Sequence, residues 1–193
     1  MIACDVVLLP PGEIMDKAVE LNKELIKRTG NTDIILDKVG YLPHITLAMG
    51  CVDKENLERI DSILKSIAKD VLPIRLKTIP LNDETASIKI EKNRDIELLH
   101  ELVMIRMNPF FVHDVSKEMI YNWQSEEISD ITLDYISKFP TRSCFENYVP
   151  HITVGRGDMT GIELESLEFE ARDLALCHLG DFCTCRKILF SYT

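Results

Sequence analysis

Five consecutive residues of this chain, Pro43-His44-Ile45-Thr46-Leu47, return almost unchanged in its second half as Pro150-His151-Ile152-Thr153-Val154. Each copy is apolar and β-branched and is soon followed by glycine, so each predicts a short strand that ends in a turn. We place these strands at about residues 42–49 and 149–155. A repeat of this kind within one chain predicts two related lobes that face each other.

The alternation of side chains along a strand decides what each copy presents to its surroundings. Successive side chains point to opposite faces, so His44 shares a face with Thr46, and His151 shares a face with Thr153. A single histidine on a half-buried strand is usually a hydrogen-bonded structural residue. Two copies with matching flanks, in a chain with five histidines, favour a shared function instead.

Two imidazoles across a cleft can act as a general base and a general acid, because histidine titrates near pH 6.5. We therefore predict His44, His151, Thr46 and Thr153 as the catalytic residues, with the hydroxyls donating hydrogen bonds to an oxyanion. Which histidine is the base stays open. The rate should follow a bell-shaped pH profile with limbs on either side of about pH 6.5. Neither repeat contains an acidic residue, so we expect no metal ion and no other cofactor.

The two motifs give the chain a family resemblance. His44-Ile45-Thr46-Leu47 and His151-Ile152-Thr153-Val154 are complete His-x-Thr-apolar motifs, and the chain resembles the two-histidine (2H) phosphoesterase superfamily, which includes 2′-5′ RNA ligase-like proteins and cyclic nucleotide phosphodiesterases. The resemblance implies one domain over residues 1–193, built from two lobes related by a pseudo-twofold axis. The motif strands would line a central cleft, and the helices would pack outside.

The resemblance also implies an activity. The substrate would be a 2′,3′-cyclic phosphate or a 2′-5′ phosphodiester of a nucleotide or an RNA end, and the reverse reaction would be that of a 2′-5′ RNA ligase. One other function stays open. The same cleft could hold a nucleotide or phosphate without turnover; a structural or interaction protein with a decayed site is disfavoured because both motifs are complete.

Three further residues are candidates for substrate binding. Tyr41 and Tyr148 lie just upstream of the motifs and could reach a base or a phosphate, although tyrosine at a strand entrance also serves packing alone. Arg156 follows the second motif in a glycine-flanked turn, where its guanidinium could clamp a phosphate or simply be solvated. The stretch 107–148 is longer than compact members of the superfamily need, and its role is open.

Charge limits the class of partner. The chain has 32 acidic and 22 basic residues and a formal charge of −10, which opposes sequence-independent binding along a long nucleic acid. A small nucleotide or RNA terminus needs a local pocket of donors and stays possible. No apolar run approaches the roughly 20 residues that span a bilayer, and no basic segment precedes the N-terminal apolar run. We expect a cytoplasmic monomer without membrane contact.

The six cysteines do not have the density of a disulfide scaffold, and we expect mostly reduced thiols. His178, Cys183 and Cys185 would share a face of a C-terminal hairpin and superficially suggest zinc. Their spacing does not match the structural knuckles, and buried small side chains are the alternative that we favour.

Periodicity along the chain alternates between strands and helices. Strands are predicted over 3–9, 73–78, 85–90, 148–155, 167–179 and 182–192, with a looser one over 34–39. Helical spacing is predicted after Gly12, after Asp53, around Leu99 and before Pro140. In the first of these helices Ile14, Ala18, Leu21 and Leu25 should form the buried stripe, and Gly30 should end the helix. Turn residues at Asn82-Asp83 and Gly180-Asp181 indicate hairpins. Hairpins between helices predict an α+β fold with antiparallel or mixed sheets.

Overall fold

The computed structural model describes residues 1–80, 86–122 and 127–193, and within them the fold is α+β. The helices are α1 (Gly12–Thr29), α2 (Leu57–Val71), α3 (Arg94–Met107) and α4 (Asp130–Arg142). The strands are β1 (Ile2–Leu9), β2 (Ile45–Val52), β3 (Ile74–Lys77), β4 (Ser87–Lys89), β5 (His151–Thr153), β6 (Glu168–Ala171), β7 (Asp173–Leu179) and β8 (Cys185–Tyr192). The predicted class is therefore confirmed. The turn expected at Asn82-Asp83 lies outside the described residues.

The main sheet is antiparallel and has the strand order β2-β1-β7-β8. Every residue of β1 is buried because neighbouring strands flank it on both sides and other parts of the fold cover both faces. Cys4, Val6 and Leu8 point into the main core. Alternation then turns Asp5 and Val7 to the opposite face of the sheet. An acidic side chain in the centre of this strand is therefore buried as well.

The remaining strands form two antiparallel pairs, β3 with β6 and β4 with β5. A bridge between Thr78 and Ile90 joins the end of β3 to the end of β4, which is the near-hairpin that the sequence indicates. β5 packs against β2, so the two motif strands meet. The relation of the two halves by a pseudo-twofold axis stays a prediction.

Helix α1 follows its predicted pattern. Ile14, Ala18, Leu21 and Leu25 recur on one face and are buried, which is the stripe that the helical spacing predicts. The helix ends where Gly30 adopts a left-handed conformation (φ 72°) and donates its N–H to the carbonyl of Ile26. No helix among the described residues has both the length and the apolar character needed to cross a bilayer.

Asn22 is a buried polar residue on α1 that joins distant parts of the chain. Its Nδ2 donates to the carbonyl oxygens of Ile34 (2.9 Å) and Val154 (2.7 Å), and its Oδ1 accepts from the N–H of Leu36 (2.9 Å). Val154 directly follows the second motif strand. The side chain therefore fixes α1, the segment after it and the end of β5 relative to one another.

Residues 34–39 do not form the predicted loose strand. Asn22 takes the backbone hydrogen bonds of Ile34 and Leu36, and Oδ1 of Asp37 accepts three N–H groups, those of Val39, Gly40 and Tyr41. Side chains therefore satisfy the backbone in place of a neighbouring strand. Because these backbone groups are already hydrogen-bonded to side chains, the apolar run 34–39 does not pair as a strand.

Three other predicted elements differ in extent. The expected single strand over 167–179 divides at Arg172 into β6 and β7, which belong to different sheets. The second motif strand is shorter than expected and covers His151–Thr153. Helix α4 continues through Pro140 to Arg142.

The C-terminal cysteines depart in part from the expectation. Cys4, Cys51, Cys144 and Cys183 are free thiols, but Cys177 and Cys185 form a disulfide that joins β7 to β8. Cys185 is therefore not available as a zinc ligand, and Nε2 of His178 is bonded to the carbonyl of Met119. The predicted two-residue turn between these strands is also wrong, because residues 180–184 form a longer connection.

Candidate active site

The structure brings the four predicted catalytic residues to one cavity of about 220 Å³. His44 and Thr46 reach it from the start of β2, and His151 and Thr153 reach it from β5. The packing of β2 against β5 places the two motifs side by side. The cavity therefore lies where the repeat predicts a cleft.

The two imidazoles are held in the same way. Nδ1 of His44 donates to the carbonyl of Leu42, and Nδ1 of His151 donates to the carbonyl of Val149, each over 2.8 Å. A carbonyl oxygen can only accept, so Nδ1 carries the proton of a neutral ring and Nε2 is left unprotonated. Each ring thus offers Nε2 for proton transfer, and the hydrogen bond from Nδ1 to the carbonyl of the residue two positions earlier fixes the orientation of the ring.

His44 is an electrically neutral group at neutral pH. Its side chain is 13% exposed, and burial lowers its pKa to about 4. The bond to the Leu42 carbonyl opposes this shift, whereas the neighbouring His151 adds to it. This pKa lies below the value near 6.5 from which the sequence analysis starts, and the bell-shaped pH profile itself stays a prediction. A bound phosphate anion would favour the charged ring and raise this pKa again.

Asp5 is a residue of the site that the sequence analysis missed. Its side chain is fully buried, and its Oδ2 accepts a hydrogen bond from the Thr46 hydroxyl over 2.6 Å. The same Oδ2 lies 3.7 Å from Nε2 of His44. Burial raises the pKa of this carboxyl well above its ordinary value, and the Thr46 bond lowers it by less. One acid in the otherwise apolar run of β1 was the signal that could have revealed it.

A second group of lining residues comes in part from the stretch 107–148, whose role the sequence left open. These residues belong to α4 and to the connection before β8, namely Ile131, Thr132, Tyr135, Phe182, Cys183 and Thr184. Asp181 fastens these segments together, because its Oδ1 accepts hydrogen bonds from the N–H of Ser129 and from the hydroxyl of Thr132. Phe182 and Cys183 have positive φ values of 52° and 54°, which non-glycine residues seldom adopt. This group is mainly apolar.

Arg156 is the one arginine or lysine among the described residues that line the cavity. It lies beyond β5 and pairs with Asp33 (3.2 Å), while its guanidinium carbon lies 4.9 Å from the centre of the Phe182 ring. Gly155 permits the tight approach of this turn to α1, since a Cβ there would lie 2.8 Å from Leu25 Cδ2 at a φ of +154°. The position of Arg156 agrees with a phosphate or base contact, and that role stays a prediction.

The structure does not bring the two predicted tyrosines into the cavity. Tyr148 is 3% exposed, stacks on His100 with the ring centres 3.8 Å apart, and donates its hydroxyl to the carbonyl of Thr46 (3.0 Å). Tyr41 lies outside the cavity lining with the guanidinium of Arg186 3.7 Å from its ring centre. We correct the assignment of Tyr148, which is buried and supports the first motif strand, whereas the substrate role of Tyr41 stays a prediction.

Metal ligands are not assembled in the described part of the chain. Within it, no three or more histidine, cysteine, aspartate or glutamate side chains are grouped so that they could hold a metal ion. The polar side chains that line the cavity include the two imidazoles, the hydroxyls of Thr46 and Thr153 and the ion-paired guanidinium of Arg156, and the buried Asp5 carboxyl contacts Thr46 behind them. This set suits proton transfer and hydrogen bonding to a small anion.

Comparison with solved structures finds matches that cover nearly the whole chain. TT0787 of Thermus thermophilus is 15% identical, with 99% of this chain and 97% of that chain covered and a TM-score of 0.56. A structure described as a phosphoesterase is 13% identical, with 100% and 98% covered and a TM-score of 0.46. Escherichia coli LigT complexed with 3′-AMP is 12% identical, with 98% and 95% covered and a TM-score of 0.44.

No family model matches the sequence, and no curated protein does either. At 15% identity, the likeness to TT0787 establishes a common fold.

Proposed function

We propose that this chain is a 2H-type phosphoesterase of one domain with two lobes, which cleaves a 2′,3′-cyclic phosphate or a 2′-5′ phosphodiester of a nucleotide or an RNA end. The observation that carries the proposal is the matched pair of imidazoles. His44 and His151 have the same Nδ1 bond, line the same cavity and each precede a threonine by two residues. An arrangement repeated from two distant segments is better suited to paired acid–base chemistry than to packing.

Hydrolysis of a cyclic phosphate needs two proton transfers. His44 is neutral, so its Nε2 takes a proton from water while the water oxygen forms a bond to phosphorus. The bond from phosphorus to one ribose oxygen breaks, and His151, which must enter the step protonated on both ring nitrogens, gives that oxygen its Nε2 proton. Each histidine ends in the opposite protonation state, and exchange with solvent restores both. A 5′-hydroxyl that attacks in the place of water would join two ends, which is ligation.

Neutral donors suit the charge of the proposed substrate. A phosphodiester carries one negative charge, and the hydroxyls of Thr46 and Thr153 can donate to its two non-bridging oxygens. Arg156 already pairs with Asp33, so little net positive charge is present at the cavity. With a chain charge of −10, this arrangement favours one phosphate over a run of phosphates.

A substrate panel tests the proposal. The protein is incubated with 2′,3′-cyclic nucleotides and with 2′-5′ and 3′-5′ dinucleotides, and the products are identified by phosphorus NMR. We expect catalytic conversion of a 2′,3′-cyclic or 2′-5′ compound and no conversion of the 3′-5′ dinucleotide. Stoichiometric binding with release of intact ligand would instead support the non-catalytic nucleotide-binding or phosphate-binding module.

A further inference from the structure

We propose that Asp5 works as a protonated positioning residue that directs the Thr46 hydroxyl to a bound phosphate, so that its ionisation weakens phosphate binding. The inference rests on the proposed function, because it assumes that Thr46 contacts the phosphate. It adds a residue outside both repeats to the site. Its basis is the geometry around the Asp5 carboxyl.

The surroundings of Asp5 do not compensate a negative charge. Oδ2 contacts Thr46 and faces His44, and Oδ1 is buried without a hydrogen-bond partner among the described residues. The titratable groups near it from other elements and from its own strand are neutral phenols and thiols, and burial raises the pKa of each; they are Tyr135 of α4, Tyr148 before β5, Cys183 before β8 and Cys4 of β1.

Two features on neighbouring strands complete this environment. The cross-strand neighbour on β7, Cys177, is in the disulfide and does not titrate, and the pKa of His44 is lowered to about 4, so that its ring is neutral. A buried carboxylate without a cation is costly, and the carboxyl takes up a proton instead. Asp5 is therefore held in its acid form over a range of pH where an exposed aspartate is ionised.

The protonation state of Asp5 decides which way the Thr46 hydrogen bond runs. A carboxylate can only accept, so the Thr46 hydroxyl must donate to it and presents lone pairs to the cavity. A protonated Oδ2 donates to Oγ1 of Thr46, whose own proton is then free for a phosphate oxygen. The atoms are already at 2.6 Å, so the change requires a proton and no movement of the backbone.

The second threonine provides the contrast. The Thr153 hydroxyl makes no hydrogen bond within the described residues, and it is therefore available to a phosphate at any pH. Asp5 acts on one of two otherwise matched hydroxyls. The two motifs have the same residues, but a carboxyl group, that of Asp5, contacts the threonine of the first motif and not that of the second.

The sign of the pH effect follows from this arrangement. Below the pKa of Asp5 the acid directs Thr46 to the phosphate, and above it both the missing donor and the added negative charge oppose binding. A bound phosphate in turn keeps Asp5 protonated, so the limb should appear in KM and kcat/KM and not in kcat. We expect KM for adenosine 2′,3′-cyclic phosphate, whose phosphodiester stays monoanionic, to rise at least tenfold across this alkaline limb.

Asp5→Asn tests the inference directly. The amide cannot ionise, and its Nδ2 can donate both to Thr46 and toward His44, so KM should stay flat where that of the wild type rises. Folding stability should follow the same rule: the wild type loses stability as pH rises from the ordinary carboxyl range toward the raised pKa of Asp5, and Asp5→Asn does not. Asp173→Asn, on the adjacent strand β7, is the matched control and should keep the wild-type profile.

Two further measurements do not depend on that variant. The infrared band of a protonated carboxyl should be present in the ligand-free wild type. As pH rises the band should disappear, and the midpoint of its loss should coincide with the midpoint of the rise in KM. Thr46→Val should show a smaller rise in KM than the wild type, because only the added negative charge of Asp5 then opposes binding, whereas Thr153→Val should keep the full rise. A wild-type KM without an alkaline limb, a limb retained by Asp5→Asn, or the absence of the band would overturn the inference and leave the proposed function standing. A wild type that converts no panel substrate would overturn the proposed function, and this inference with it.

Discussion

Replacing His44 or His151 with alanine is expected to lower kcat by about 10²–10⁴-fold in each case, because each variant loses one positioned proton transfer. The fold should survive, since both rings line a cavity and each gives up one backbone hydrogen bond, worth about 1 kcal/mol. Steady-state rates with a 2′,3′-cyclic nucleotide and unfolding curves in denaturant measure the two effects separately.

A matched control and a double variant sharpen this expectation. His113→Ala removes a histidine that binds the carbonyl of Met49 and does not line the cavity, and it should keep wild-type turnover. The double variant of His44 and His151 should be scarcely worse than the worse single variant, since the two rings act in one step. Two independent losses that multiply, or full activity in either single variant, would remove the acid–base pair from the mechanism.

Removing either threonine hydroxyl should cost about 10²–10³-fold in kcat, the range found when one donor to a developing oxyanion is lost. Valine is the appropriate substitution because it keeps the β-branched shape on the strand. We expect the two variants to differ in stability. Thr46→Val leaves the Asp5 carboxyl without its partner and should unfold more easily by about 1–3 kcal/mol, whereas Thr153→Val breaks no hydrogen bond among the described residues.

The comparison of kcat with the free energy of unfolding separates catalysis from packing. If both threonines act on the phosphate, the two variants should lose kcat by similar factors although one of them alone is destabilised. Wild-type kcat in Thr153→Val would show that the second hydroxyl has no part in catalysis. Full activity of both variants would contradict the assignment of the hydroxyls to the phosphate.

Local patterns in the sequence were sufficient for the elements that carry the motifs. Period-two alternation placed His44 beside Thr46 and His151 beside Thr153, and the structure puts all four at one cavity. Helical spacing likewise predicted the buried face of α1 and its end at Gly30. These features depend on contacts within a few residues, which is why one sequence was enough.

Features that depend on distant partners were not predictable in this way. Tyr148 was assigned to the substrate, but its hydroxyl donates a hydrogen bond to the carbonyl of Thr46, which is 102 residues away in the chain. Asp5 becomes part of the site because β1 pairs with β2, 41 residues from Thr46. Local propensity does not report which strand will lie alongside which. The lining residues from α4 were missed for the same reason.

The metal-free two-histidine mechanism is tested most directly by turnover in the presence of a chelator. The wild-type protein and His151→Ala are incubated at neutral pH with a 2′,3′-cyclic nucleotide in excess EDTA, and phosphorus NMR follows the opening of the ring. We predict that the wild type forms a phosphomonoester at the same rate with EDTA as with added Mg²⁺ or Mn²⁺, and that His151→Ala forms almost none. Loss of wild-type activity in EDTA that one metal ion restores, or undiminished turnover by His151→Ala, would contradict the mechanism.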